Sequence, residues 1–275
     1  MTTLYLGDCL EKMKCIPDKS IDLIICDLPF GCLIGGGGKE KAKRNERFRF
    51  INGENTNTII KSDIIGGCPW DIKIDLEEFW KQVKRIRKDN HIPCLMFCNT
   101  KFGYELIKSN EKEFRYDLVW DKGRGVSFLS ANKMPMRSHE MIYVFSKAGA
   151  NYNRVDIKGD FKPYNFKATS EGAGMIPHIK RTETNNDGSK RCILSVIQTP
   201  NKTLRKSSHP TEKPIDLYKF LIERYSNKDD VVLDPTFGSG NSGLACKELN
   251  RKYIGIEKDN NFFWKFAKNI LQAKV

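Results

Sequence analysis

Two short apolar runs dominate the hydrophobic pattern of the chain. Ile21–Cys26 and Val231–Leu233 are nearly continuous in apolar residues, which is typical of strands covered on both faces. The first run is followed by Asp27-Leu-Pro-Phe30 and the second by Asp234-Pro-Thr-Phe-Gly238. Because the carboxyl ends of parallel strands meet at one edge of a sheet, we expect these two distant loops to face one crevice.

The remaining pattern predicts alternating strands and helices. Strands are predicted at Leu4–Leu6, Ile92–Cys98, Arg115–Trp120, Met141–Ser146 and Lys252–Glu257, and helices at Asp75–Asn90, Thr100–Ser109 and Pro214–Ser226. This alternation predicts an α/β fold. Too little chain follows residue 243 to build a stable sheet, so the strands around Val231 must come from upstream. The sheet order is therefore predicted to be permuted relative to the chain.

Two segments interrupt the alternation. Residues 32–70 contain four consecutive glycines at 35–38, carry a basic run from Lys39 to Arg49 and show no periodicity, which predicts a long flexible loop. Residues 151–206 are polar, turn-rich and basic, which predicts an inserted recognition region of short strands and loops. We accordingly divide the chain at residues 1–120, 121–206 and 207–275, with part of the core sheet inside the middle segment.

The loop after Val231–Leu233 carries a glycine signature. Gly238, Gly240 and Gly243 fit G-x-G-x-x-G, with a strand before them and a helical pattern after them. The first two glycines allow a sharp turn and a close approach to a ligand, and Gly243 allows the helix to pack closely on the strand. Glu257 ends the next strand, where such folds place an acid on ribose hydroxyls. A nucleoside cofactor is the expected ligand.

Charge adds a second expectation. The net charge is +13 and the isoelectric point is about 9.2. From Asp121 to Lys206 the sequence has 16 Lys and Arg against 7 Asp and Glu, so most of the excess lies there. Clustered positive charge favours a nucleic acid over a merely soluble surface.

Cysteine and histidine usage excludes other classes. The nine cysteines are dispersed without C-x-x-C pairs, and the four histidines are isolated, so we predict neither a metal site nor a disulfide framework. Reduced thiols predict a cytoplasmic protein, and we expect no membrane-spanning segment. Pro93-Cys94 matches the nucleophile pair of cytosine-carbon methylation, but it opens an apolar strand, so we interpret Cys94 as structural.

These motifs together resemble the β-class amino-methyltransferases of DNA. Asp27-Leu-Pro-Phe30 is similar to that family's catalytic Asp-Pro-Pro-Tyr tetrapeptide, and Asp234-Pro-Thr-Phe-Gly-Ser-Gly240 to its cofactor loop. Gly7-Asp8 and His209-Pro-Thr-Glu-Lys-Pro214 match two further segments in family order. Trp120–Gly125 and Arg137–Glu140 resemble phage-type members.

The resemblance implies a Rossmann-like methyltransferase sheet, S-adenosylmethionine as cofactor and double-stranded DNA as partner, with a homodimer as an allowed assembly. Implied catalytic residues are Asp27, Leu28, Pro29 and Phe30. Implied cofactor contacts are Asp8, Thr211, Lys213, Asp234, Pro235, Phe237, Gly238, Ser239, Gly240, Asn241 and Glu257; of these, Thr211 and Lys213 would hold the methionine carboxylate. Candidate DNA contacts are Lys122, Arg124, Lys133 and Arg137.

Three positions depart from the family pattern. Leu28 stands in place of the first proline, Phe30 in place of tyrosine and Asn241 where threonine is frequent. Phenylalanine keeps an aromatic face for stacking on a base but lacks the hydroxyl group. Leucine keeps the backbone carbonyl but not the rigidity of proline.

We therefore predict a site-specific DNA methyltransferase of a restriction-modification system that modifies N6 of adenine. An acidic first residue, Asp27, favours adenine in this family, and N4 of cytosine is the alternative. A nicotinamide-dependent oxidoreductase would share the glycine signature alone, and an inactive DNA-binding protein would account for Leu28 and Phe30.

Overall fold

The computed structural model describes residues 1–31, 72–126, 128–166, 184–199 and 211–273. Its strands are β1 (Thr2–Leu6), β2 (Leu23–Cys26), β3 (Cys94–Cys98), β4 (Phe114–Val126), β5 (Arg137–Phe145), β6 (Ile157–Lys158), β7 (Tyr164–Phe166), β8 (Thr184–Asn186), β9 (Lys190–Arg191), β10 (Val196–Gln198), β11 (Val231–Asp234) and β12 (Lys252–Glu257). Its helices are α1 (Cys9–Met13), α2 (Leu76–Ile86), α3 (Thr100–Ser109), α4 (Ile215–Tyr225), α5 (Asn241–Glu248) and α6 (Asn260–Gln272).

Eight strands form the central sheet in the order β1-β12-β11-β2-β3-β5-β4-β10. Within this eight-stranded sheet, as described, β5 alone runs against the others and pairs antiparallel with β3 and β4. The late strand β11 lies between β12 and β2, so the predicted permuted α/β sheet is confirmed. The predicted adjacency of the two loops follows directly, because β11 and β2 are parallel neighbours.

The sheet is covered by helices on both faces, as its continuous apolar strands predict. Leu23 and Ile25 of β2 belong to a cluster that includes buried side chains of α4, α5 and α6. Ile24 and Cys26 belong to a second cluster with α1, α2 and α3. Alternate residues of one short strand thus contribute to two cores, and this packing fixes the position where β2 ends and Asp27 begins.

Several helices begin at capping residues visible in the sequence. Asp75 accepts hydrogen bonds from the backbone amides of Glu77 and Glu78, at 2.9 and 3.3 Å, and thereby caps α2. Asp259 caps α6 in the same way. Helix α5 begins instead after Gly240, whose φ of 77° is left-handed and favours glycine.

The middle of the chain differs in detail from the predicted elements. The predicted strand Arg115–Trp120 continues to Val126, and the strand predicted to begin at Met141 begins at Arg137. The two form one long hairpin, because polar residues at its far end keep the extended pairing without an apolar alternation that sequence could reveal. Short strands pair as β6 with β9 and β7 with β8, and β10 joins the main sheet beside β4.

Parts of two predictions lie outside the described residues. The loop predicted at 32–70, with its basic run Lys39–Arg49, is one of them, and residues 167–183 and 200–206 of the recognition region are the other. The division into 1–120, 121–206 and 207–275 stays a prediction.

In the described ranges, no helix is long and apolar enough to cross a membrane. Nor do the side chains placed in those ranges form a group of three or more metal-ligating residues.

Candidate active site

A cavity of about 380 Å³ opens at the carboxyl edge of the sheet, where β1, β2, β11 and β12 end. Its volume lies in the range usual for small-molecule sites. It brings together most of the residues predicted from sequence: Asp8, Asp27, Leu28, Pro29, Phe30, Thr211, Lys213, Pro235, Phe237, Gly238, Ser239 and Glu257. Residues from both ends of the chain and both loops therefore line one space.

The backbone after β2 is fixed to the loop after β11. Thr236 donates a hydrogen bond from Oγ1 to the carbonyl oxygen of Asp27 over 3.1 Å. On the other side, the ring of Phe30 stacks on Phe102 of α3, with centroids 5.0 Å apart and planes inclined by 30°. The tetrapeptide is thereby held at both ends, although it lacks the proline at position 28.

Asp27 belongs to a cluster of four charged side chains. The ammonium of Lys213 forms an ion pair with Asp27 Oδ2 and lies 3.6 Å from Glu140 Oε2. Glu140 in turn forms an ion pair with Lys122. The Lys213 side chain is only 4% exposed and lies 4.6 Å from the centroid of the Phe97 ring. This charge cluster, Asp27, Lys122, Glu140 and Lys213, pairs two cations with two anions.

Burial and charge act in opposite directions on these groups. Burial raises the pKa of Asp27, and the neighbouring Lys213 offsets that effect without reversing it. Burial alone would lower the pKa of Lys213, but Asp27 and Glu140 outweigh it and raise that pKa. Lys213 is therefore a cation at neutral pH, and Asp27 is a stronger hydrogen-bond and proton acceptor than an ordinary aspartate.

The glycine loop closes the opposite end of the cavity. Gly238 and Gly240 have φ values of 49° and 77°, and Gly240 N donates to Phe237 O over 2.8 Å. Glu257 accepts hydrogen bonds from Gly238 N at 3.0 Å and from Asp259 N at 2.8 Å. Burial raises the pKa of Glu257. Its carboxylate is thus oriented by two backbone amides while it lines the cavity.

Asp8 joins this end from the first strand. Gly7 N donates to the carbonyl oxygen of Glu257 over 2.9 Å, which places the start of α1 beside the end of β12. Asp8 caps α1 by accepting from Leu10 N at 3.0 Å, and Lys258 lies 3.1 Å from its other oxygen. Asp8 and Glu257, which come from opposite ends of the chain, therefore line the same end of the cavity.

Three residues implied as cofactor contacts shape the loop without lining the cavity. Asp234 is buried and accepts hydrogen bonds from Ser242 Oγ at 2.6 Å and Thr236 N at 3.0 Å. Asn241 donates to Glu212 Oε1 and to the carbonyl oxygen of Lys213, over 3.0 and 2.7 Å. Gly240 packs against Ile270 too closely for a Cβ atom. Their contribution to a ligand is indirect.

Gly243 and Cys94, for which the sequence predicts packing roles, both lie in the buried interior. A Cβ atom on Gly243 would lie 2.8 Å from the Tyr253 ring, so the close helix–strand packing predicted there is confirmed. Cys94 is buried within β3 and pairs with Phe145 in the sheet. It is absent from the residues that line the cavity, in keeping with a structural thiol.

The four candidate DNA contacts all lie on the β4–β5 hairpin, but they are not equivalent. Arg124, Lys133 and Arg137 are exposed. Lys122 is directed inward: its side chain is 12% exposed and its ammonium forms an ion pair with Glu140. Arg124, Lys133 and Arg137 therefore stay candidate DNA contacts, and Lys122 does not.

Several lining residues were not identified from sequence. They are Cys9, Leu10, Ile72, Lys73, Ile74, Asp75, Tyr218, Thr236, Lys258 and Phe262. Thr236 lies inside a recognised motif, so its position was indicated although its partner was not. Glu140 of the charge cluster does not line the cavity, but it ends the recognised segment Arg137–Glu140. Tyr218 and Phe262 read as ordinary core positions of amphipathic helices, which gives no signal of a cavity.

Comparison with known proteins defines the class. A family model described as DNA methylase matches residues 21–268. The chain is 42% identical over 281 residues to the type II methyltransferase M.HpaI of Haemophilus parainfluenzae, covering 98% of this chain and 74% of that protein. It is 27% identical over 289 residues to M.HinfI of Haemophilus influenzae, covering 100% of this chain and 69% of that protein.

Solved structures share the fold. The structure of M1.HpyAVI in complex with SAM superposes with a TM-score of 0.58 at 21% identity, covering 99% of this chain and all of that chain. The cytosine-N4-specific PvuII DNA methyltransferase superposes with a TM-score of 0.62 at 17% identity, covering 100% of this chain and 88% of that chain. Both support the Rossmann-like methyltransferase fold.

The chain belongs to the DNA methylase family. The predicted S-adenosylmethionine-dependent DNA methyltransferase is confirmed at this level, and the family assignment disfavours a nicotinamide-dependent oxidoreductase. The phage-type resemblance stays a prediction. The cavity fits the cofactor, because it offers a carboxylate for hydroxyl groups at Glu257, an aromatic ring at Phe262 and an ammonium at Lys213.

The buried Asp234 makes the cofactor loop sensitive to pH. Burial raises its pKa to about 7, so its neutral form favours the folded state. Its stabilising contribution is complete below the ordinary aspartate pKa and is lost as the pH rises through about 7. Asn mimics the neutral acid and does not ionise. The free energy of unfolding of Asp234→Asn, taken relative to wild type, should therefore rise by on the order of 1–3 kcal/mol as the pH increases from 5 to 8.

Urea denaturation at both pH values measures this difference. The exposed Asp216→Asn, in the first turn of α4, is the matched control and should show no such trend. If the difference in free energy of unfolding between wild type and Asp234→Asn stays constant from pH 5 to pH 8, the assigned protonation of Asp234 is wrong.

Proposed function

We propose that the protein transfers the methyl group of S-adenosylmethionine to N6 of adenine within a specific DNA sequence. The observation that carries the proposal is one cavity lined both by Asp27–Phe30 and by the glycine loop with Glu257. A cofactor held by the second set would place its reactive end within the same space as the first set. The type II methyltransferases to which the chain is similar support a modification role in a restriction-modification system.

At the cofactor end, the residues supply binding and orientation. Glu257 offers carboxylate oxygens that two backbone amides already orient, which suits the hydroxyl groups of a ribose. Phe262 offers an aromatic face and Asp8 an acceptor for the purine. S-adenosylmethionine, when bound, supplies a methyl group that its sulfonium already activates, so positioning contributes most of the catalysis.

Lys213 keeps two roles. Its ammonium has three hydrogen-bond donors, and the ion pair with Asp27 occupies one side of it. It also lines the cavity together with Thr211, so it stays a candidate partner for the methionine carboxylate. In the first role it positions the Asp27 carboxylate, and in the second it would hold the carboxylate of the cofactor.

At the target end, Asp27 and Leu28 supply acceptors. The amino nitrogen of adenine is a poor nucleophile because its lone pair is delocalised into the ring. Acceptors on its two hydrogens favour a pyramidal nitrogen and direct the lone pair outward. Lys213 donates to Oδ2 of Asp27, and no described group donates to Oδ1, so Oδ1 is the first acceptor for the amino group. The carbonyl oxygen of the adjacent Leu28 is the second acceptor.

The target base must leave the duplex to reach this point, because the acceptors lie within a cavity. Phe30, held by its stacking on Phe102, offers an aromatic surface for the flipped base. The loss of the tyrosine hydroxyl does not affect that surface. Adenine is favoured over cytosine by the acidic residue at position 27, as the family resemblance implies.

Substitution of Asp27 tests the proposal. Asp27→Ala removes an acceptor that acts mainly in the transition state, so transfer should fall by about 10²–10³ or more. DNA affinity should stay close to wild type, because the exposed cations of the β4–β5 hairpin are unchanged. Cofactor affinity should change little, because Glu257 and the glycine loop are unchanged and Glu140 still faces Lys213. Asp27→Asn keeps one side-chain oxygen and should retain partial activity.

The measurement is mass spectrometry of nucleosides from DNA treated with wild type, both variants and the exposed control Asp216→Asn. Wild type and control should yield N6-methyldeoxyadenosine. N4-methyldeoxycytidine would contradict the adenine assignment. Absence of any methylated nucleoside from wild type would favour an inactive DNA-binding protein, and full activity of Asp27→Ala would remove the mechanism.

Glu257 tests the cofactor end independently. Glu257→Gln replaces one acceptor oxygen by an amide that cannot accept from a ribose hydroxyl or a backbone amide. Affinity for S-adenosylhomocysteine should fall by about 1–3 kcal/mol, the scale of a hydrogen bond to a charged group. Isothermal titration calorimetry measures the affinity, with Glu248→Gln at the exposed end of α5 as control. Equal affinities of Glu257→Gln and wild type would refute the assignment.

A further inference from the structure

The β4–β5 hairpin projects beyond the edge of the sheet that carries Asp27. Pairing between β3 and β5 ends at Cys98 with Met141, whereas β5 starts four residues earlier, at Arg137. Four extended residues span about 14 Å. Because β2 and β3 are parallel, Asp27 follows β2 at this same edge. The hairpin therefore stands beside the mouth of the cavity.

The tip of this hairpin is apolar and uncovered. Phe128 is 77% exposed, Leu129 is 99% exposed and Met134 is 56% exposed. The tip is nevertheless a defined turn: Ala131 N donates to Phe128 O over 3.0 Å, and Met134 N donates to Ser130 O over 3.1 Å. Large apolar side chains concentrated on an ordered turn indicate an interaction site rather than scattered surface residues.

The surroundings of the tip select the partner. Arg124, Lys133 and Arg137 are exposed on the same hairpin, and no acidic side chain in the described ranges is seen paired with them. An apolar tip flanked by cations is complementary to DNA, because the cations can bind phosphates while the apolar side chains enter between base pairs. The charge favours a polyanion over a second copy of this basic chain.

The base of the hairpin is also tied to the catalytic residue. Lys122 of β4 and Glu140 of β5 form an ion pair, and Glu140 lies 3.6 Å from the lysine that pairs with Asp27. The position of the hairpin relative to Asp27 is therefore fixed by a buried charge cluster. A side chain that the tip inserts into DNA would therefore lie at a fixed position relative to the base bound at Asp27.

We propose that Phe128 and Leu129 insert into the base stack of the DNA next to the target and stabilise the duplex from which the target base has been flipped. The proposal rests on the proposed function for its DNA substrate, and it assigns a partner and a role to residues outside the cavity. Base flipping requires unstacking, which costs a few kcal/mol per step. Apolar side chains in the vacated stack would offset that cost.

The test compares two duplexes that contain the modified site, as identified by mapping methylated bases in plasmid DNA. One duplex is fully paired and the other carries a mismatch opposite the target base, which lowers the cost of flipping. Phe128→Ala and Leu129→Ala should lower kcat/KM on the paired duplex about tenfold or more, and the mismatch should restore most of that loss. Both side chains are exposed, so folding is not expected to change.

Two control variants give the comparison its meaning. Leu271→Ala, an exposed leucine of α6, should behave as wild type on both duplexes. Arg124→Gln should lower the affinity for both duplexes by the same factor and reduce the salt dependence of binding, as the loss of a phosphate contact does. A loss in Leu129→Ala that is equal on both duplexes would overturn insertion.

Two other outcomes would also overturn the proposal. One is unchanged kinetics of both tip variants on the paired duplex. The other is a changed sedimentation coefficient without selective loss on that duplex, which would identify the tip as a contact between copies. If wild type modifies cytosine, the same comparison on cytosine duplexes decides the question, whereas a wild type that methylates no DNA would defeat the proposed function itself.

Discussion

The parallel pairing of β2 with β11 is the constraint on which the site depends. Val232 pairs with Leu23 and Leu233 with Ile24, so residues about two hundred positions apart in sequence end their strands side by side. The Thr236 hydroxyl then binds the carbonyl oxygen of Asp27, which joins the two loops through one hydrogen bond. Every further relation between the acceptors near Asp27 and the cofactor loop follows from this register.

The buried charge cluster is the second feature that organises the site. Desolvating a lysine is costly unless it is paired, and Lys213 meets that cost with two carboxylates. Within the described part of the chain, Glu140 Oε2 has no hydrogen-bond partner, so the cluster is incompletely satisfied. A partly satisfied cluster in a cavity is typical of functional positions rather than of an optimised core. It also connects the β4–β5 hairpin to Asp27, through Lys122, Glu140 and Lys213.

The fold was predictable from sequence where apolar periodicity and turn chemistry agree. The runs Ile21–Cys26 and Val231–Leu233 and the glycine signature sufficed to predict the permuted sheet and the common crevice. The extension of β4 to Val126 was not predictable, because its outer residues are polar and exposed and carry no strand pattern. Its pairing is imposed by β5, a tertiary effect that local propensity does not encode.

The site was predictable in its residues but less so in their roles. Asp8, Asp27 and Glu257 line the cavity as expected. Asp234 and Asn241 do not line it but stabilise the glycine loop through hydrogen bonds outside the cavity. The pairing of Lys213 with Asp27 joins two motifs that sequence reasoning had assigned to different ligands. Such pairings depend on side-chain geometry across the sheet edge, and a single sequence does not contain it.

The central claim is that cofactor and target base meet in one cavity. The most direct test is a crystal structure of the protein with S-adenosylhomocysteine and a duplex that contains its site. We expect the ribose on Glu257, the sulfur directed toward Asp27, and an extruded base between Phe30 and the acceptors of Asp27 and Leu28. A ligand whose sulfur faces away from Asp27, or a target base received outside this cavity, would contradict it.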